Sequence, residues 1–192
     1  MEGINMKCPR CGLIVTDLVP KCQGCGFSIQ DLDRKLKRHP KRIGFVNDFA
    51  GVLSAEEKSW IENQLSEFNQ KYGGQFVLVI VKSTKPIKPS EYVFWLFNRW
   101  QIGGENHTGL MVLLALSERR IESEVGYSWE DIISDVESGK VFDETVIPLL
   151  KEDKIHEALR KGIEQISGIL EEAAIRLEEH TEEESASKGS DV

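Results

Sequence analysis

Phe76-Val77-Leu78-Val79-Ile80-Val81 is apolar at every position and dominated by β-branched residues. A short run of this kind reads as a strand buried on both faces, and so as a central strand of a sheet. Leu110-Met111-Val112-Leu113-Leu114-Ala115-Leu116 is a second such run. Neither approaches the ~20 apolar residues of a membrane-spanning helix. After the tight connection Ser117-Glu118-Arg119, the apolar-leaning Ile121, Ser123 and Val125 alternate with Glu122 and Glu124, which predicts a strand with one solvated face. Helices surround these strands. Ser54-Ala55-Glu56-Glu57 spells a capping box, and Ile61, Leu65, Phe68 and Tyr72 follow at helical spacing before Gly73-Gly74 closes the segment. Pro89 opens a second helix whose Tyr92, Trp95, Leu96 and Trp100 form an aromatic stripe, read as core. Val136–Leu149 and Lys154–Ala174 predict two more helices, the latter striped by Ile155, Leu159, Ile163, Ile166 and Leu170. Together these elements predict an α/β fold, a three-layer α/β/α sandwich around a small mixed sheet.

The chain has 192 residues, enough for one ordinary domain and an appendage. Its formal charge of −8 is unevenly spread: residues 1–44 carry +5 and the remainder −13. The overall acidity argues against a protein built to bind nucleic acid or anionic membrane. The start, Met1-Glu2-Gly3-Ile4-Asn5-Met6-Lys7-Cys8, has no basic and apolar export pattern, so the expected compartment is the cytoplasm. There thiols stay reduced, and clustered cysteines usually mean metal. P-loop, nucleophile-elbow, zincin and dinucleotide-binding signatures are all lacking in the sequence.

Cys8-Pro9-Arg10-Cys11-Gly12 and Cys22-Gln23-Gly24-Cys25-Gly26 form a C-x2-C-x10-C-x2-C pattern. Two C-x-x-C turns present four sulfurs to one tetrahedral Zn²⁺, with Gly12 and Gly26 letting the backbone curl around the thiolates. Cys8, Cys11, Cys22 and Cys25 are thus expected to be structural zinc ligands, and the doublet resembles a zinc ribbon. The alternative is two redox or disulfide pairs, but this stretch lacks the strand–helix unit of a redox C-x-x-C. Ribbons often dock onto protein or nucleic acid. The basic run Arg34-Lys35-Leu36-Lys37-Arg38-His39-Pro40-Lys41-Arg42 would favour an anionic partner, yet it carries no interleaved aromatic residue for base stacking. It also reads as a solvated linker, with Pro40 ending any helix begun near Asp31. The expected organisation is a zinc ribbon at 1–31, a basic linker at 32–44, an α/β domain at 45–175 and an acidic disordered tail at 176–192. A protein partner is expected through the ribbon, and no membrane span is expected.

Several segments, taken in order, carry a family likeness: Val46-Asn47-Asp48-Phe49-Ala50-Gly51-Val52-Leu53-Ser54; Gln75–Val81; Leu96-Phe97-Asn98-Arg99-Trp100-Gln101-Ile102-Gly103; Gly109–Leu116; Glu118-Arg119 with Glu124-Val125-Gly126-Tyr127; and Asp135 with Ile147-Pro148. Over about residues 43–172 the set resembles the TPM domain family. The resemblance implies an α/β/α sandwich. It implies either a weak acid phosphatase, a divalent-ion site at an acidic end of the sheet, or an assembly factor for membrane complexes. Most members carry a signal peptide and an anchor, and here a ribbon stands where the export signal would be. The family's Asp-Asn-Gly reads His107-Thr108-Gly109, its Asp-Arg turn reads Glu118-Arg119, and its Gly-Tyr-Gly reads Gly126-Tyr127-Ser128. Asp48, Arg119 and Asp135 match as they stand.

Two readings of these residues stay open. Asp48, Glu118 and Asp135 could gather at one sheet end around Ca²⁺, Mg²⁺ or Mn²⁺, with His107 as a softer ligand or a general acid. Asp48, Arg119 and Asp135 would then be catalytic, Arg119 steadying a phosphate and the ion activating water for phosphomonoester hydrolysis. Alternatively Asp48 holds a turn, Asp135 caps a helix, Glu118 and Arg119 form a hairpin tip, and His107 is a loop residue. The leading expectation is a zinc-ribbon-tethered domain acting as a binding or assembly module, with a metal-dependent phosphatase as the alternative.

Overall fold

The computed structural model describes residues 5–16, 21–130, 133 and 135–188, with side chains described within 7–15, 21–130, 133 and 137–172. The chain forms two compact units, Met1–Trp129 and Glu130–Val192.

The first unit is built on a four-stranded sheet whose strands lie side by side in chain order. Strands β3 (Val46–Asp48), β4 (Gln75–Val81) and β5 (Gly109–Ala115) are parallel, and β6 (Arg120–Val125) returns antiparallel to β5. The two wholly apolar runs are the inner strands β4 and β5, and all seven β5 residues are buried. Helix α2 (Ala55–Tyr72) starts on the expected capping box: the Ser54 amide donates to Glu57 Oε2 at 2.7 Å, and the Glu57 amide to Ser54 Oγ at 3.2 Å. It covers one face of the sheet, where Phe68 meets Phe76 edge-on at 6.0 Å and Trp129 at 6.1 Å. The buried Asn69 ties α2 to the start of β4, accepting from the Phe76 amide at 2.6 Å and donating to its carbonyl at 3.3 Å. Helix α3 (Pro89–Arg99) covers the other face, its Val93, Phe94, Trp95 and Leu96 packing with Val77, Val79, Met111 and Leu113. The sheet therefore has helices on both sides, as the apolar runs implied.

The N-terminal segment belongs to this same unit. Strands β1 (Asn5–Lys7) and β2 (Ile14–Thr16) pair antiparallel, and α1 (Ile29–Leu36) follows, capped by Ser28. The stretch read as a linker from residue 32 thus begins inside a helix. Leu32 is fully buried in the cluster that holds α3, because the apolar side of α1 has a neighbour to pack on. Trp100 Nε1 donates to the Pro40 carbonyl at 2.8 Å, and Arg42 donates to Gln75 Oε1 at 2.9 Å, so the run beyond α1 is fastened to the sheet domain.

The second unit holds α4 (Asp135–Val141), a π-helical turn (Phe142–Val146), α5 (Ile147–Lys151) and α6 (Ile155–Lys188). The acidic tail expected from residue 176 falls in the last turns of α6 and beyond; its side chains lie outside the described residues. Among the described residues, no helix is long and apolar enough to cross a membrane.

Candidate functional site

The four cysteines form a cluster assembled by two matching backbone turns. In the first, the Gly12 amide donates to the Cys8 carbonyl at 2.8 Å and the Cys8 amide to the Leu13 carbonyl at 2.9 Å. In the second, Gly26 donates to Cys22 and Cys22 to Phe27, both at 2.8 Å. Gly12 and Gly26 take φ of 74° and 70°, a left-handed conformation that glycine adopts without penalty. All four Sγ atoms lie within 4.8 Å of one another, with Cys8–Cys25 at 3.7 Å and Cys11–Cys22 at 3.6 Å. A tetrahedron with Zn–S bonds of about 2.3 Å separates its sulfurs by about 3.8 Å, so the donor set fits such an ion. Backbone amide hydrogen bonds, from Cys25 above all, pull the Cys22 thiol down to about 7. The Phe27 amide favours the Cys25 thiolate, but burial and the three neighbouring thiols outweigh it and push this thiol up to about 12. Four thiols this close cannot all ionise unless a cation is shared among them.

Two of the carboxylates read as a divalent site, Asp48 and Glu118, are engaged in local hydrogen bonds. Asp48 ends β3, and its Oδ1 accepts from the Ala50 and Gly51 amides at 3.1 and 2.8 Å. Its Oδ2 accepts from Val52 and Leu53, both at 2.9 Å. This carboxylate organises the turn between β3 and α2, as an aspartate followed by Phe-Ala-Gly can. Glu118 sits in the β5–β6 hairpin and accepts from Ser83 Oγ at 2.6 Å and the Thr84 amide at 3.4 Å. The Ser83 hydroxyl holds its carboxyl below the usual value. Arg119 is exposed at the tip of that hairpin with φ of 51°. Asp48, Glu118 and Arg119 do share the carboxyl end of the parallel strands.

His107 does not join them. It caps the 3-10 turn Gly104–Asn106 before β5, at the opposite end of the sheet and about 20 Å away along a seven-residue strand. His107 therefore cannot share an ion with Asp48 and Glu118, since a residue preceding a seven-residue parallel strand and one following it cannot meet. Asp135 opens α4, and its side chain lies outside the described residues. Among the described residues, the four cysteines are the one cluster of three or more metal-ligating side chains. His107 instead lines an open cavity of about 620 Å³ with Phe97, Asn98, Gln101, Ile102 and Glu105. A Cβ on Gly126 would lie 2.2 Å from the His107 carbonyl oxygen, so glycine there lets the loop lie against the end of β6.

Sequence reasoning missed the residues that join the cysteine cluster to α3. Arg10, inside the first turn, donates to Glu91 at 2.7 Å, and Glu91 is 5% exposed. Asp33 accepts from Trp95 Nε1 and Arg99 Nε, both at 2.9 Å. Glu91, in the first turn of α3, looks like an ordinary acid complementing the helix dipole. Nothing in its spacing announces an arginine 81 residues away.

The sequence model of the TPM domain matches residues 46–169. No curated protein matches the sequence. Among solved structures, the chain is similar to the N-terminal domain of a protein from P. gingivalis, at 25% identity and a TM-score of 0.64, covering 67% of this chain and 83% of that one. It is similar in fold to the BA42 protein from the psychrophilic bacterium Bizionia argentinensis, at 16% identity and a TM-score of 0.55, covering 65% and 86%. The N-terminal domain of the cg2496 protein from Corynebacterium glutamicum is similar at 14% identity and a TM-score of 0.53, covering 68% and 83%.

Proposed function

This chain belongs to the TPM domain family, and on that premise we propose that it is a binding or assembly module whose four cysteines hold a structural zinc ion. The observation that carries the reading is the occupation of Asp48. Both of its oxygens accept from backbone amides, four in all, which leaves them little capacity to ligate a hydrolytic ion. Four thiolates around zinc leave no open coordination position, so the ion supplies folding free energy rather than chemistry on a substrate. The ribbon carries the exposed Leu13 and Ile14, which suit a protein partner. A role in binding nucleic acid through residues 34–42 has less support, since Arg34 pairs with Asp31 and Arg42 with Gln75.

The alternative, a metal-dependent phosphomonoesterase, draws on Arg119 standing exposed beside Glu118. Hydrolysis of p-nitrophenyl phosphate with Mg²⁺, Ca²⁺ or Mn²⁺, from acidic to neutral pH, separates the two. The binding reading expects no metal-dependent turnover. Turnover that Arg119→Ala abolishes in a folded protein would establish the esterase instead.

A further inference from the structure

The cysteine cluster and α3 share one apolar core. Cys8, Cys22, Phe27 and Leu32 are buried in the same cluster as Val93, Phe94, Trp95 and Leu96. Phe27, which follows the second cysteine turn, meets Phe94 edge-on at 5.7 Å. Arg10 lies over the Phe27 ring at 4.9 Å while its Nε donates to Glu91. Asp33 adds its bonds to Trp95 and Arg99, at the far end of the helix. Each cysteine turn therefore hands a side chain directly to α3: Arg10 from the first and Phe27 from the second.

We propose that the metal is a latch: its occupancy decides whether the Glu91–Phe94–Trp95 side of α3 is covered. The inference rests on the metal reading of the four cysteines. The cysteine-bearing segment has two strands of three residues each, too little structure to hold a fold without a cross-link or an ion. When the ion leaves, the turns that aim Arg10 and Phe27 lose their anchor. Phe94 then faces water, and Glu91 loses the cation it pairs with. With that side uncovered, α3 loses part of the packing that holds it. The effect runs along α3 to its carboxyl end, where Phe97 and Asn98 begin the lining of the 620 Å³ cavity. Asn98 Nδ2 donates to the Phe94 carbonyl at 2.7 Å, which ties that lining back to the covered face. Metal occupancy thereby shapes the cavity at 97–107 without touching it.

Linkage makes the proposal testable from both directions, since whatever the metal does for α3, α3 must do for the metal. The experiment titrates zinc into the full chain against a chromophoric chelator, comparing wild type with Phe94→Ala and Glu91→Gln. Neither residue is among the four cysteines, and each variant is expected to bind zinc about tenfold more weakly, within the usual range of coupling between sites. In parallel, chelation of the wild-type protein is expected to speed amide exchange across residues 89–107 at least about tenfold while residues 55–72 of α2 keep their protection. Folded variants that bind zinc as tightly as wild type, or exchange at 89–107 that ignores chelation, would overturn the latch alone. A wild-type chain that takes up no zinc would overturn the metal reading and the latch with it.

Discussion

At the residue scale, Asp48 is a structural acceptor. Its four amide bonds fix the chain between β3 and α2, so Asp48→Ala leaves four donors to find water. Charge-assisted bonds of this kind justify an expected loss of about 2–3 kcal/mol, read by urea unfolding, with zinc content unchanged. Glu118 gives a pH signature at the same sheet end. Its folded pKa is lowered by the Ser83 hydroxyl, so the unfolded chain takes up the proton first as pH falls. The stability it contributes is complete above the ordinary carboxylate range and vanishes as pH drops through the folded value. Glu118→Gln is therefore expected to cost under about 1 kcal/mol at pH 7, the site being partly solvated, with the gap to wild type closing below about pH 4. The sequence carried the chemistry of these residues but not their partners. Asp48 could be read as turn-holder or ligand because both uses need the same carboxylate. Only the amides of residues 50–53 decide between them.

At the element scale, the strands and helices were legible where one pattern dominated. β4 is apolar from Phe76 on and β5 from Leu110 on, and α2 begins on Ser54 and Glu57 as a capping box must. The shorter β3 left no such pattern, since three residues show no period. Pairing between distant elements leaves no local trace, and so the docking of α1 on α3 through Asp33 was invisible, as was the Asn69 bridge from α2 to β4. The junction of α2 and β4 offers a sharp test. A Cβ on Gly74 would lie 2.0 Å from the Trp129 ring and 3.0 Å from the Thr108 carbonyl oxygen. Trp129 is 5% exposed and packs on Phe68, so it has little room to yield. Gly74→Ala is expected to destabilise the first unit by about 1–3 kcal/mol, the range for forced overpacking, and thermal unfolding reads it.

At the scale of the whole molecule, the uneven charge has a structural counterpart, though not the one the sequence suggested. The described residues of the +5 segment share a core with α3 and are fastened by Arg10, Asp33 and Pro40. The cysteine spacing was legible because zinc chemistry demands four sulfurs at fixed reach. The way the ribbon is held was not, because it depends on which face of α3 the sheet leaves to be covered. The account stands on that cluster holding an ion, and elemental analysis with X-ray absorption at the zinc edge tests it most directly. The expected result is one zinc per chain in a shell of four sulfurs at about 2.3 Å, lost in the Cys8→Ser/Cys22→Ser variant. A purified chain without zinc, or zinc bound by oxygen or nitrogen and retained in that variant, would contradict it.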